Sequence, residues 1–461
     1  MGFSQSNPQL ATTIAQRPLH SSAYKWWVVF MLWFVCFFNY ADRQAIFSVF
    51  PKLKEEFGFD KVQLGLIGSA FMWVYALGAP LAGLVCDRFR RKDLILGGCL
   101  FWSFVTMTTG WCSKLWQFVA VRAVEGFGET FYFPASMSMT SDYHDRRTRS
   151  RALSLHQSSV YMGTIAGSWL AAWFAERHGW RAGFYFFGAC GMLLVLVLYR
   201  FLREPRRGEA EMAVRQEHER QEGPLTPALF PDGGEGEEPL PLGETARLIF
   251  RNPVTVVLMG VFLCANFVAT IFLTWTPTFL VEKFNFKLAA AGLSGGVFIH
   301  LASFLSVPLG GLLADRFSQR FAGGRMSTQA LGLLGGSVFI FLVGRTANVT
   351  TLLVAMSCFG FCKGIYDSNI FASLYDFIEP RARGTAAGLM NTVGWGGGAL
   401  GPLFVGWVAK HGNAPTEVEN MSAAISCCGA VYILGAVLLL VAISSLGKHI
   451  QTAQSASNSC R

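Results

Sequence analysis

Long apolar runs recur along the whole of this 461-residue chain, and they restrict its fold more than any other feature does. Each run is close to the ~20 residues that an α-helix needs to cross a bilayer. Hydrophobic residues make up 52% of the sequence and charged residues only 15%, with a mean hydropathy of +0.38, which excludes an ordinary soluble protein. We therefore predict an all-α integral membrane protein with about twelve transmembrane helices.

A single long polar segment divides the apolar runs into two sets of six. The predicted organisation is an N-terminal tail (1–25), a first six-helix half (26–202), a cytosolic linker (203–250), a second six-helix half (251–446) and a C-terminal tail (447–461). The linker is too short and too polar for a catalytic or signalling domain, although it has room for a short surface helix. The spans are expected near residues 26–49, 63–86, 93–112, 115–140, 151–175, 181–202, 253–280, 289–314, 327–345, 350–376, 384–409 and 422–446.

The basic residues lie at the ends of apolar segments. The loop after the second span, residues 88–92, carries four of them, and later even-numbered loops are also basic. By the positive-inside rule, we expect both termini to face the cytoplasm. The predicted location is the cell (inner or plasma) membrane. The net charge of +9 therefore reflects membrane orientation, and we expect no nucleic-acid partner. We predict a monomer in the bilayer.

The sequence offers no set of residues for metal binding or catalysis. Eleven cysteines are scattered through the chain, most of them in apolar segments, without paired metal-ligand motifs, so we expect buried thiols. We find no nucleophile–base set at a membrane face. The prediction is a protein that is not an enzyme and holds neither a metal nor an organic cofactor.

An internal repeat relates the two halves. The segment Gly-Leu-Val-Cys-Asp-Arg-Phe-Arg-Arg at 83–91 returns 228 residues later as Gly-Leu-Leu-Ala-Asp-Arg-Phe-Ser-Gln-Arg at 311–320. Further matches, such as Gly126 with Gly360 and Gly163 with Gly397, share an offset of 234. Two six-helix halves in the same orientation are typical of transporters that work by rocking one half against the other.

Three ionisable residues occur inside the fourth apolar span. Arg122, Glu125 and Glu129 stand at i, i+3 and i+7, so they share one helix face. Exposed to lipid, they would cost roughly 8–10 kcal/mol, at about 3 kcal/mol each, so the face must point inward. One interpretation is a structural ion pair that joins helices. The other is a proton-coupling site, because a buried, partly paired carboxylate can exchange a proton at physiological pH.

Several stretches resemble a known family. Residues 83–92 look like the cytoplasmic loop signature of the major facilitator superfamily, and 311–320 look like its second copy. Within that superfamily the chain is similar to the anion:cation symporters, the sialin-like organic-anion transporters. The supporting stretches are Asn39–Arg43, Ser69–Tyr75, Arg122 with Glu125, Glu129 and Pro134, and Trp275–Leu280.

The resemblance implies a substrate site and a proton site. It implies that Arg43 and Tyr75 hold the substrate and that Asp42 and Glu129 take protons. Arg122 and Glu125 complete the predicted proton-coupling site. Arg43 suits a carboxylate because its planar guanidinium group can bind both oxygens. Gln157 and Asn391, which occupy matching repeat positions, are further candidates for contacts to substrate hydroxyl groups.

We therefore predict the major facilitator fold and secondary active transport. The substrate is expected to be a small organic anion, a sugar acid or another carboxylate, moved by proton-coupled symport with alternating access. Na⁺ is the alternative coupling ion. The alternative function is lipid or lysolipid transport, because residues 39–43 and 126–129 also resemble spinster-like transporters.

The repeated loop motifs are predicted to act as gates. Their arginines would bridge acidic groups across the two halves and hold the cytoplasmic side shut in one state. Setting the topology is the alternative role. The residues are Gly83, Asp87, Arg88 and Arg91 in the first half, and Asp315 and Arg316 in the second.

The tenth span carries charges that the family pattern does not assign. Lys363 occupies the repeat position of Glu129, and Asp367 follows it by one helical turn. A structural i,i+4 pair is the simplest interpretation. His300 in the eighth span is either a packing residue or a proton relay.

Overall fold

The computed structural model describes residues 22–145, 148–206, 209, 210, 212, 242–321, 323–378 and 383–459. Some side chains within these ranges, among them that of Asp87 and those of residues 445–459, lie outside the description. Most of the predicted N-terminal tail (1–25) and most of the predicted linker (203–250) lie outside these ranges. Throughout the described residues the secondary structure is helical, as predicted.

The helices follow the order and approximate positions of the predicted spans. Seven of the described helices or helix pairs are long and apolar enough to cross a membrane by length and composition alone. The bounds are α1 Ser22–Ser48, α2 Phe50–Phe57, α3 Lys61–Arg88, α4 Arg91–Thr109, α5 Leu115–Thr130, α6 Tyr132–Tyr143, α7 Arg149–Arg177, α8 Trp180–Phe201, α9 Leu242–Arg251, α10 Pro253–Phe284, α11 Leu288–Ser318, α12 Gly324–Arg345, α13 Val349–Asp367, α14 Ile370–Tyr375, α15 Arg383–Gly398, α16 Leu400–His411 and α17 Glu417–Ser459.

Local sequence signals fix several of the helix ends. Asp60 accepts the backbone N–H of Gln63 while the Gln63 side chain accepts the backbone N–H of Asp60, and this capping box begins α3. Asn252 caps α10 ahead of Pro253, whose missing N–H is no loss at a first helical position. The last helix runs on to Ser459, beyond the end predicted at 446.

Three predicted spans, the fourth, tenth and eleventh, are each divided into two helices. Pro134 has no N–H to donate to the carbonyl of Thr130, and α5 ends there. Pro402 likewise leaves the carbonyl oxygen of Gly398 free, and this oxygen accepts a hydrogen bond of 2.6 Å from the Thr270 hydroxyl. The released carbonyl therefore ties α15 to α10, and the break is compensated within the bundle.

The sequence repeat corresponds to a repeat in helix packing. A Cβ on Gly126 would lie 2.5 Å from the carbonyl oxygen of Phe71, and a Cβ on Gly360 would overlap the carbonyl oxygen of Ile299. The two glycines are related by the offset of 234, and Phe71 and Ile299 by the offset of 228. The same close approach thus joins the second and fourth spans of each half, where only glycine fits.

The two halves meet at one end of the bundle. We call the end that carries Arg88 and Glu204 the linker side, and the end that carries Lys61 and Glu282 the far side. Lys61 of the first half forms an ion pair with Glu282 of the second, and Lys410 pairs with Asp60 at 2.7 Å. A Cβ on Gly65 would lie 2.6 Å from the carbonyl oxygen of Pro402. The far side is therefore closed by direct contact between the halves.

Candidate functional site

A cavity of about 640 Å³ lies between the two halves. All four residues predicted to bind substrate line it: Arg43 and Tyr75 from one half with Gln157 of α7, and Asn391 from the other half. Phe133 and Met137 of α6 extend the lining from Arg43 toward the linker side. The cavity therefore approaches the side opposite to the closed end. Its other polar or charged lining residues include Gln44, Asn266, Thr270, His300, Lys363, Asp367 and Ser368.

Arg43 is the cationic group of the first-half wall of this cavity. Its Nε and Nη2 atoms donate to Glu129 Oε2 at 2.9 and 2.5 Å, and Nη2 also reaches Asn39 Oδ1 at 3.3 Å. The third nitrogen, Nη1, has no hydrogen-bond partner among the described residues. Arg43 thus retains an unused donor at a site that is only 4% exposed.

Aromatic rings surround the Arg43 guanidinium group. Its central carbon lies 4.5 Å from the ring centre of Tyr40, 4.7 Å from that of Phe71 and 5.2 Å from that of Tyr75. Trp395 of the second half lies at 5.9 Å. These rings stabilise the cation by their negative faces and fix its plane, so the guanidinium group is held in one orientation.

A second buried ion pair lies beside the first. Arg122 Nη1 donates to Glu125 Oε2 at 2.6 Å, one turn along α5, and Arg122 Nη2 approaches the backbone carbonyl of Arg43 at 3.4 Å. The Arg122 guanidinium carbon also lies 4.7 Å from the ring centre of Phe71. Arg122 therefore neutralises Glu125, whereas Glu129, on the same helix face, turns to Arg43.

Asp42 has only neutral partners in the described structure. One carboxylate oxygen accepts the backbone N–H of Arg43 at 2.7 Å, and the other accepts the Thr106 hydroxyl at 3.2 Å. Arg122, the arginine on the neighbouring helix α5, pairs with Glu125 instead. The same Thr106 oxygen lies 3.4 Å from Glu125 Oε1. One hydroxyl proton can serve only one of the two carboxylates at a time.

The charges of this cluster do not cancel. Asp42, Glu125 and Glu129 carry three negative charges when ionised, against two positive charges on Arg43 and Arg122, and all five side chains are buried. Ligand atoms of the three carboxylates lie within 4.8 Å of one another. An unpaired buried charge is costly. One additional monovalent cation, a proton or Na⁺, would bring the net charge of the cluster to zero.

The second half contributes its own ion pair to the cavity. Lys363 Nζ donates to Asp367 Oδ2, as the i,i+4 spacing predicted, and both residues line the cavity. Tyr161 of the first half and His300 of the second contact one another at 6.0 Å between ring centres. His300 therefore packs against an aromatic ring that crosses between the halves, and its role as a relay stays a prediction.

The gating residues form contacts within each half in this structure. Arg91 is buried and pairs with Asp142 at 2.7 Å, with Glu204 at 3.8 Å. Asp315 lies 4.0 Å from Arg325, which pairs with Asp376 at 2.5 Å. The expectation that these arginines bridge the two halves does not hold for Arg91 here, because Asp142 belongs to its own half and Glu204 to the start of the linker.

The remaining gating residues face open space or lie outside the description. Arg88 and Arg316 are exposed, and the Asp87 side chain is not among the described ones. A Cβ on Gly83 or on Gly311 would meet nothing within 4 Å. A closed form of the linker side, with these motifs in contact, stays a prediction.

Sequence reasoning missed three residues that hold the site together: Phe71, Thr106 and Trp395. Phe71 carried a signal, since it falls in the stretch 69–75 that marked the family resemblance. Trp395 lies in a glycine-rich run, which permits close helix packing but gives no sign of a contact with Arg43. Nothing in the sequence marked Thr106, a single hydroxyl residue within an apolar span.

The comparison with known families gives one match that spans most of the chain. The family model described as Major Facilitator Superfamily matches residues 32–402 and again 301–457. Among curated proteins, the D-galactonate transporter of Escherichia coli O6:H1 is 28% identical over 88% of this chain and 94% of its own length. The probable galactarate/D-glucarate transporter GudP of Escherichia coli K12 is 25% identical over 83% of this chain and 87% of its own.

Two further similarities come from a plant protein and a solved structure. The chloroplastic ascorbate transporter of Arabidopsis thaliana is 26% identical over 84% of this chain and 70% of its own. The crystal structure of a bacterial homolog to the human lysosomal transporter Spinster, inward-facing and unoccupied, superimposes with a TM-score of 0.70. It is 20% identical and covers 92% of this chain and 96% of that chain, a likeness that concerns the fold alone.

Proposed function

The chain belongs to the Major Facilitator Superfamily, and we propose that it carries a small organic anion across the membrane together with a proton. The observation that carries this proposal is the state of Arg43. It lines the cavity, is held by aromatic rings, and has one nitrogen, Nη1, without a partner among the described residues, while Nε and Nη2 donate to Glu129. The relatives are named as transporters, or probable transporters, of galactonate, galactarate, glucarate or ascorbate, all of which are anions at neutral pH.

A substrate carboxylate competes with Glu129 for Arg43. Two parallel N–H···O bonds to a carboxylate need the guanidinium edge that Glu129 now occupies in part. When the substrate takes this edge, Glu129 loses its cation in a site that is 1% exposed. A buried carboxylate without a partner is strongly unfavourable, so Glu129 then binds a proton.

Asp42 and Glu125 have different parts in this proposal. Glu125 keeps its charge because Arg122 stays with it. Asp42 faces only an N–H and a hydroxyl, so it carries the proton that brings the cluster to neutrality before substrate binds. Na⁺ at the three carboxylates is the alternative coupling ion, and uptake measured without Na⁺ decides between the two.

Gln157 and Asn391 suit the rest of a hydroxylated acid. They occupy repeat-related positions and line the same cavity from opposite halves. Each amide offers donors and an acceptor, and so matches a hydroxyl group that does both. A sugar acid held by Arg43 at its carboxylate would thus reach both halves, and closing the cavity would tighten these contacts.

The direction of access follows from the closed far side. With both termini cytoplasmic, as the basic loops predict, the linker side is the cytoplasmic side and this structure is the inward-facing form. The open space around Gly83 and Gly311 is where the halves would approach in the outward-facing form. Release of the far-side contacts would accompany that closure.

Binding to purified protein tests the proposal. We expect wild type to bind at least one of D-galactonate, D-glucarate and ascorbate, and Arg43→Lys to lose about tenfold or more in affinity, because a point charge cannot form the bidentate pair. Arg345→Ala, a surface arginine at the end of α12, is the control and should bind normally. An unchanged affinity in Arg43→Lys contradicts the proposal, as does wild type that binds lysophosphatidylcholine but none of the acids.

A further inference from the structure

The cavity contains a second cation that the transport proposal has not used. Lys363 of α13 lines the second-half wall, as Arg43 lines the first-half wall. Like Arg43, it is held by one acid of its own half, here Asp367. The two halves therefore present one cation each to the same cavity, and each cation is neutralised by a nearby carboxylate.

Lys363 has donors left over for a ligand. An ammonium group has three N–H bonds, and among the described residues Lys363 uses one of them, on Asp367. The lysine side chain is 17% exposed and that of Asp367 31% exposed. A helix gains little from one i,i+4 pair, so helix stability alone does not require these charges here.

Among the described residues, Asp367 is the one acid that contacts Lys363, which lines the cavity. Tyr161 and His300, whose rings contact one another, line the same cavity as Lys363. Neither ring carries a negative charge, and Ser368 beside them donates to the carbonyl of Ile365. Asp367 is thus the anion that holds Lys363 while the cavity has no other anion to offer.

We propose that Lys363 binds a second acidic group of the substrate, so that the protein selects small dianions over monoanions. This inference rests on the proposed function, in which Arg43 binds the first carboxylate. The second group, a carboxylate or a sulfonate, would replace Asp367 on Lys363 as the first replaces Glu129 on Arg43. A cation in each half also means that a dianion draws the two halves together.

A matched pair of sugar acids tests this inference. D-Glucarate and D-gluconate differ only at one end, where the first has a carboxylate and the second a hydroxymethyl group. For wild type we expect D-glucarate to bind about tenfold more tightly, because a charge-assisted hydrogen bond replaces a neutral contact. Lys363→Met combined with Asp367→Asn removes both charges, and the ratio should fall to about one, mainly through loss of D-glucarate affinity.

Two further variants separate a binding role from a structural one. Lys363→Arg should keep the preference for D-glucarate, whereas Lys363→Met alone should reverse it, because Asp367 then repels the second carboxylate. An unchanged ratio in the double variant overturns the inference. So does an equal loss for both acids accompanied by a lower thermal stability, which would mark a structural pair.

The results for wild type distinguish a failure of this inference from a failure of the proposed anion transport. Wild type that binds neither acid, nor any other organic anion, overturns the transport of anions and this inference with it. Wild type that binds D-gluconate as tightly as D-glucarate, with Arg43→Lys impaired for both, keeps the anion site and overturns only the role of Lys363.

Discussion

Five ionisable side chains in the first half form two ion pairs and leave one carboxyl group outside any ion pair. Arg43 pairs with Glu129, Arg122 pairs with Glu125, and Asp42 has neutral partners. The two glutamates lie one turn apart on α5, yet only Glu129 shares its arginine with the cavity. Neighbouring residues of the same type are therefore expected to respond differently to substitution.

The first prediction concerns Glu129. Glu129→Gln mimics the protonated form, so it should bind substrate at least as well as wild type, since nothing competes for Arg43. In proteoliposomes it should exchange substrate across the membrane but fail to accumulate it in response to a pH gradient. Accumulation that survives in Glu129→Gln would assign the coupling proton to another group, Asp42 first.

The second prediction concerns Glu125. Glu125→Gln leaves Arg122 buried without a counter-charge, which costs about 3–5 kcal/mol when a buried pair is broken. We expect a clear drop in thermal stability. The charge-balanced pair Arg122→Gln with Glu125→Gln should recover part of that loss. If Glu125→Gln is stable but loses coupling, Glu125 is a proton carrier and its pairing with Arg122 is not its main role.

Much of this residue-level arrangement could not be predicted from the sequence. Helical spacing placed Arg122, Glu125 and Glu129 on one face, and all three are indeed buried together. Which acid pairs with which arginine depends on the distance between α1 and α5, and residues 43 and 129 are far apart along the chain. Thr106 carried no signal because its role depends on where α4 packs.

At the scale of helices, glycine determines how closely spans approach. Gly126 packs against the backbone of Phe71, next to the ring that lies between the two arginines. Gly97 of α4 has open space where a Cβ would be. The two glycines are both within helices, but only one of them is required by a neighbour.

The third prediction uses this difference. Gly126→Ala should separate α3 from α5, lower thermal stability and weaken substrate binding, because Phe71 and Tyr75 move with α3. Gly97→Ala is the control and should be neutral or slightly stabilising, by about 0.5–1 kcal/mol. Equal melting temperatures and equal substrate affinities in the two variants would show that close packing at Gly126 is unimportant.

At the scale of the whole molecule, the halves are joined at the far side by packing and by ion pairs. The buried ammonium group of Lys61 pairs with Glu282, and Lys54 with Glu417 at 2.6 Å. A transporter that alternates must release these contacts as the linker side closes. Their strength therefore sets the balance between the two forms.

The fourth prediction measures that balance. Lys61→Met combined with Glu282→Gln should favour the form that is open on the far side. Spin labels at residues 89 and 319, both exposed on the linker side, should then move closer together. Native cysteines that react are first replaced. Lys52→Met with Glu55→Gln removes an exposed pair within α2 and is the control. An unchanged distance distribution would mean that this ion pair does not hold the far side shut.

The overall architecture was accessible from the sequence because the bilayer imposes it. The lengths of the apolar runs predicted the spans, and the motif repeated at 83–91 and 311–320 predicted the two parallel halves. The break at Phe131 could have been inferred from Pro134, whereas the conformational state could not. The inward-facing and outward-facing forms of a transporter have the same sequence, so the sequence cannot show which form is present. The contact of Arg91 with Asp142 of its own half could therefore be found only in the structure.

The central claim is that the substrate carboxylate and Glu129 compete for Arg43. The number of protons taken up on substrate binding tests it most directly. Calorimetric titration of purified protein with its acid substrate, in buffers of different ionisation enthalpy, counts the protons bound. For wild type we expect about one proton taken up per substrate near neutral pH, and for Glu129→Gln normal binding with none. Binding to wild type without proton uptake, or equal uptake in Glu129→Gln, would contradict it.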